Sequence, residues 1–261
     1  MNLINLEMMN ATQRVAEALA TRGLFVKVEN DFIVLTAENT QTDIAMVHDL
    51  LNRLQIPTFW KERTQFQVLV NRLPIAMMKR IMNAPGREFP VHMEGYHFLW
   101  RSFAQRRFGI KVNALELDAN MAMLVKSLNL AGITALAGCN GHHRYQPNVQ
   151  LSGVYQGAWF EVIQEKYLRD LSLNYEWAVG YENRSGSFIS ANKGSEEQWN
   201  MNLIYQDTVR MAEIIQKNAV EIRRLKQRIF KRKGKQKDIA EMLAETKKYK
   251  ELGKWMRNQC Q

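Results

Sequence analysis

The sequence predicts an α+β protein: two small α/β subdomains followed by a long C-terminal helical hairpin or coiled-coil arm. Three observations carry this reading. Apolar spacing alternates between strand-like and helix-like up to residue 191, the clearest break (Asn83-Ala84-Pro85-Gly86) falls within that stretch, and beyond Ser195 the spacing is helical only. The expected organisation is an N-terminal α/β subdomain (1–84), a central α/β subdomain (85–194) and a basic helical arm (195–261).

In the first part, Ala11 to Ala20 reads as a helix ended near Gly23, with LFVKV (24–28) and FIVLT (32–36) as strands around the tight turn Glu29-Asn30-Asp31. Ile44, Val47, Leu51 and Leu54 fall at helical spacing, PTFWKE and FQVLVN are short strand candidates, and Pro74 opens a helix to Met82. The order α-β-β-α-β-β-α implies a two-layer unit with an antiparallel sheet. In the central part, Met93 to Phe108 and Leu115 to Leu130 read as helices. ITALAG (133–138) and VQLSGV (149–154) are strands around the loop CNGHHRYQPN. Ala158 to Leu171 is a further helix, and residues 176–191 form a hairpin turning at Asn183–Gly186.

Ser195 with Gln198 three residues later is a capping-box signature for the long helix. Met201, Ile204, Thr208, Met211, Ile215, Asn218, Ile222, Leu225 and Ile229 follow at alternating spacings of three and four, a heptad seam in which Asn218 either fixes register or simply marks an imperfect position. A second stripe, Ile239 to Met256, needs a partner. An αα-hairpin turning at KRKGKQ is the expected solution because the first stripe is nearest, with a homodimer through residues 201–229 as the alternative.

Charge is distributed as unevenly as periodicity. Residues 210–258 hold 16 Lys/Arg against 6 Asp/Glu, while the rest of the chain holds 20 of each, so the whole net charge of +10 lies in the last fifth. Arg223 to Lys237 reads RRLKQRIFKRKGKQK, without one acidic residue to supply i,i+4 pairs. Such self-repulsion is relieved by an anionic partner, either nucleic acid or an acidic protein surface. The candidate phosphate contacts are Arg223, Arg224, Lys226, Arg228, Lys231, Arg232, Lys233, Lys235 and Lys237. No base-reading motif accompanies them, so contact independent of sequence is expected. Trp100, Arg101, Arg106, Arg107 and Phe108 combine aromatics with cations; the segment serves either as a core helix or as a surface that stacks bases.

The loop Cys139-Asn140-Gly141-His142-His143-Arg144 offers a thiol, two imidazoles and a guanidinium. It can be a polar loop, it can grip phosphate through His143 and Arg144, or it can hold Zn²⁺ or another divalent metal through Cys139, His142 and His143. The same three residues are the candidates for catalysis in a metal- or thiol-dependent hydrolase or phosphodiesterase, with Asp118 or Glu161 as an activating carboxylate. GITALAGCNGHH resembles a G-I-x-T-x-x-S-C-x-G-H segment of uncharacterised proteins from phages and mobile elements of Gram-positive bacteria. The matching positions are Gly132, Ile133, Cys139, Gly141 and His142; Thr134 stands one position early and Gly138 replaces the family's Ser. The resemblance covers about residues 115–170 and implies a phage or mobile-element origin and a shared loop.

Two distant cysteines, no apolar run of membrane-spanning length and no signal-peptide pattern point to a cytoplasmic protein. There is no P-loop, GxGxxG, GxSxG or HExxH. The expectation is a non-enzymatic nucleic-acid-binding protein contacting phosphates through its basic arm. The alternatives are the hydrolase above and a protein-interaction module that inhibits a host factor.

Overall fold

Asn10 starts the first helix by accepting from the Gln13 amide at 2.8 Å, and the Gln13 side chain accepts from the Asn10 amide in return, closing a capping box. The computed structural model describes residues 8–85, 99–182, 186–194, 198–231 and 234–260, with only the backbone of Lys235. After α1 (Ala11–Thr21) come β1 (Val26–Glu29), β2 (Phe32–Leu35), α2 (Gln41–Arg53), β3 (Thr58–Glu62), β4 (Gln65–Val68) and α3 (Ile75–Met82), in the expected order. Asn30 and Asp31 both have positive φ (48° and 66°), as a tight hairpin whose twist matches its strands requires. The four strands form an antiparallel sheet in the order β1-β2-β4-β3, with Ile33, Leu35, Phe66 and Val68 buried.

Contacts divide the chain into two units: Met1–Phe89 with Lys111–Met123, and Pro90–Ile110 with Leu124–Gln261. Residues 111–123 belong to the first unit because its buried polar groups need them. The fully buried Arg22 guanidinium donates to the carbonyls of Ala84, Ala114 and Leu117 at 2.8, 2.9 and 2.8 Å. The Thr40 hydroxyl donates to Asn113 at 2.6 Å, and buried Asp43 accepts from the Leu115 amide at 3.3 Å. A boundary drawn from the Pro-Gly break alone cannot register these bonds.

The second unit contains α4 (Trp100–Gln105), most of α5 (Ala119–Leu130), β5 (Ala135–Cys139), β6 (Asn148–Ser152) and α6 (Val154–Ile163), which continues as a π-helical turn, Gln164–Leu168. Strands β7 (Glu176–Glu182) and β8 (Gly186–Asn192) and helices α7 (Met201–Phe230), α8 (Gly234–Glu245) and α9 (Tyr249–Asn258) complete it. Its sheet is antiparallel in the order β5-β6-β8-β7. Both units therefore repeat one plan: two hairpins, a helix between them, and the second strand of each hairpin paired at the sheet centre. The protein is α+β with a long C-terminal helix, as its periodicity predicts. Of the expected helix Met93–Phe108, the described part is helical only from Trp100 to Gln105.

Helix α7 starts at Met201, where the Asn200 side chain accepts from the Asn202 and Leu203 amides. The expected Ser195 cap lies outside the described residues. The seam is buried inside the second unit: Ile204, Thr208, Met211, Ile215, Ile222, Leu225 and Ile229 all face its core. The chain itself thus covers the stripe that the alternative, a homodimer through 201–229, would have used. The Asn218 amide donates to the Ile214 carbonyl of its own helix at 2.8 Å. The second stripe divides between two helices, and its last part, Tyr249 and Met256 on α9, belongs to a helix that packs chiefly on α6. Phe230 at the end of α7 meets Trp100, Phe103, Trp159 and Trp255 with ring centroids 5.4 to 5.8 Å away. Among the described residues no helix is long and apolar enough to cross a membrane.

Candidate polyanion interface

The geometry begins at the C-terminus of α5. Gly132 sits at φ 85°, the Ile133 amide donates to the Leu128 carbonyl, and the Gly132 amide donates to the Asn129 carbonyl. This is the double bond of a glycine-terminated helix, and it leaves the Leu130 and Gly132 carbonyls at the negative end of the helix dipole. Two cations of α7 fill that position. Arg223 Nη1 donates to the Leu130 carbonyl and Lys226 Nζ to the Gly132 carbonyl. Lys226 is fully buried, its ammonium 5.2 Å from the centroid of the Phe103 ring. Burial, with added repulsion from Arg106, pushes the amine down to about 7.

The segment after α4 lies on the same helix end. The Gly109 amide donates to the Asn129 carbonyl at 2.7 Å and the Ile110 amide to the Asn129 side chain at 2.8 Å. The Arg107 carbonyl approaches Gly132 so closely that a Cβ there would stand 2.6 Å from it. This contact places Phe108 beside α7, with the Arg223 guanidinium 4.4 Å from the ring centroid and the Arg107 guanidinium 5.4 Å away. Burial, then repulsion from Arg107 and Arg224, lowers the Arg223 pKa from its ordinary value, although an arginine keeps its proton throughout the physiological range. Arg223 Nε is buried and has no hydrogen-bond partner.

The structure thus separates the nine cations named from sequence. Arg223 and Lys226 point inward, because positions 222, 223, 225 and 226 share the buried face of the helix. Arg224, Arg228 and Lys231 form an exposed row, and none of them makes an ion pair among the described residues. Lys237 is exposed and 3.7 Å from Glu241. Arg232, Lys233 and the side chain of Lys235 lie outside the described residues. Compared with known proteins, the chain matches no family model, no curated protein and no solved structure.

The Cys139 loop is organised differently. Gly141, His142 and His143 take consecutive positive φ values of 82°, 46° and 64°, and the Gly141 carbonyl accepts from the Arg144 and Tyr145 amides. The Asn140 side chain accepts from the His142 amide at 2.8 Å, and the His143 Nδ1 lies 3.3 Å from the Trp199 carbonyl. Of the three candidate ligands, Cys139 and His142 are brought together, with Sγ and an imidazole nitrogen within 4.8 Å of each other, whereas the turn sends His143 toward Trp199. Arg144 is exposed. Glu161, one of the carboxylates considered for this loop, is engaged by Tyr181 at 2.7 Å and Arg257 at 2.9 Å.

The sequence named Arg106, Arg107 and Phe108 as one cluster and the basic run as another. Their meeting depends on the glycine-ended helix between them.

Proposed function

We propose that this protein is a non-catalytic nucleic-acid-binding protein that contacts phosphates through the exposed cations around the C-terminal half of α7. The observation that carries the reading is the gathering of Arg107 with Arg223 and Arg224, more than a hundred residues apart in sequence, beside an exposed Arg224-Arg228-Lys231 row without ion pairs among the described residues. Like charges gathered in one place cost free energy, and phosphates would relieve it by displacing condensed counterions.

Filter binding to nucleic acid across a salt series tests it. The expected result is binding at low salt that weakens steeply as salt rises. Arg107→Ser/Arg224→Ser/Arg228→Ser should flatten the logarithmic salt slope by about 2 to 3, the value for three lost phosphate contacts. No binding at low salt, or an unchanged slope in the triple variant, refutes the reading.

A further inference from the structure

Of the three aromatic residues in the segment 100–108, two are accounted for by the core. Trp100 is 4% exposed and Phe103 2%, both within the aromatic cluster around Phe230. Phe108 is 46% exposed. It follows two arginines, and a third guanidinium, that of Arg223, lies 4.4 Å from its centroid. The ring is also held in place. Bonds from Gly109 and Ile110 to Asn129 fix the backbone just after it, the Arg107 carbonyl rests against Gly132 just before it, and Arg223 is anchored to the Leu130 carbonyl. A phenyl ring kept part-exposed and fixed among cations has the composition of a stacking platform, where a base lies on the ring and its phosphates meet the guanidinium groups.

We infer that the nucleic acid bound here is single-stranded, with one base stacked on Phe108 and flanking phosphates on Arg107 and Arg224. The inference rests on the phosphate-binding reading above and adds to it the form of the polymer. A duplex keeps its base faces within the helical stack, so it would use the cations and leave the ring idle; an unpaired base has a free face for the ring. Stacking reads neither the sugar nor the base identity, so DNA and RNA single strands are expected to bind alike.

Fluorescence anisotropy at low salt decides it, with labelled oligothymidylate, oligouridylate and a DNA duplex, each of about 20 nucleotides or base pairs. Both single strands should bind about tenfold more tightly than the duplex. Phe108→Leu should weaken the single strands by about tenfold and leave the duplex unchanged, whereas Phe108→Tyr, which keeps a ring face, should behave as the parent. Equal affinity of the parent for single strand and duplex overturns the stacking inference, as does a Phe108→Leu loss shared equally by all three probes; the phosphate reading survives either result. If none of the probes binds at low salt, the phosphate reading falls and this inference with it.

Discussion

Lys226 is an amine placed where an ammonium is unwelcome. It is fully buried against the Phe103 face, and the carbonyl of Gly132 satisfies one of its protons. With its folded pKa near 7 and its unfolded value near 10.5, the unfolded chain binds more protons between those limits. Stability must therefore rise with pH across that window, and below about pH 7 this gain is absent. Lys226→Met retains most of the apolar stem and cannot titrate. It also loses the bond to Gly132, a cost that does not vary with pH. The stability of the variant relative to the parent should accordingly be highest near pH 6 and fall toward pH 9 by at least about 1.4 kcal/mol, the equivalent of one pKa unit. Urea unfolding of both proteins at the two pH values measures the difference; parallel pH profiles would show that the amine stays charged in the folded state.

At the scale of elements, periodicity in the sequence located most helices and strands of both units, because single-face burial imposes its own spacing on each. It did not identify the partners. The end of the second stripe, on α9, was assigned to α7, yet α9 packs on α6, through a contact that includes one residue with no periodic signature. Gly253 faces Glu161 so closely that a Cβ would stand 2.0 Å from Oε2. Glu161 cannot easily turn away, since Tyr181 donates to it at 2.7 Å and Arg257 at 2.9 Å, while Arg257 also meets Glu165 at 3.2 Å. The phenol of Tyr181 is raised well above its ordinary pKa by burial and then by that carboxylate, so it remains a donor. In an unconstrained helix Gly→Ala would stabilise by about 1 kcal/mol. Here Gly253→Ala should destabilise by about 1 to 3 kcal/mol, as expected for an overpacked contact. Combining it with Glu161→Ala should give less than the sum of the two losses, and a double-mutant cycle by urea unfolding checks this. The candidate interface was half legible for the same reason: its two basic segments are visible in the sequence, whereas their juxtaposition depends on Asn129 and Gly132 bonds that no local pattern encodes.

For the molecule as a whole, the repeated plan of two hairpins and an intervening helix makes the units alike in topology and leaves them different in charge. Residues 1–209 carry 20 basic and 20 acidic side chains and residues 210–258 carry 16 and 6, so the excess belongs to the helices added after the second sheet. A topology shared by a neutral and a cationic unit cannot itself be the source of polyanion affinity. The first unit nevertheless has exposed cations, Lys27, Lys61 and Arg63, on or beside its strands. If affinity followed only total charge, removing these three would flatten the salt dependence of binding as much as removing any other three. If it follows the local field, which salt screens within about 8 to 10 Å, they are too dispersed among acidic neighbours to matter. Lys27→Ser/Lys61→Ser/Arg63→Ser has the same net charge as Arg107→Ser/Arg224→Ser/Arg228→Ser, so the pair separates the two explanations without a difference in total charge. The first variant should keep the parental salt slope to within about half a unit while the second loses about 2 to 3. Equal slopes for the two would place the affinity in the net charge of the chain and remove the α7 surface from the explanation.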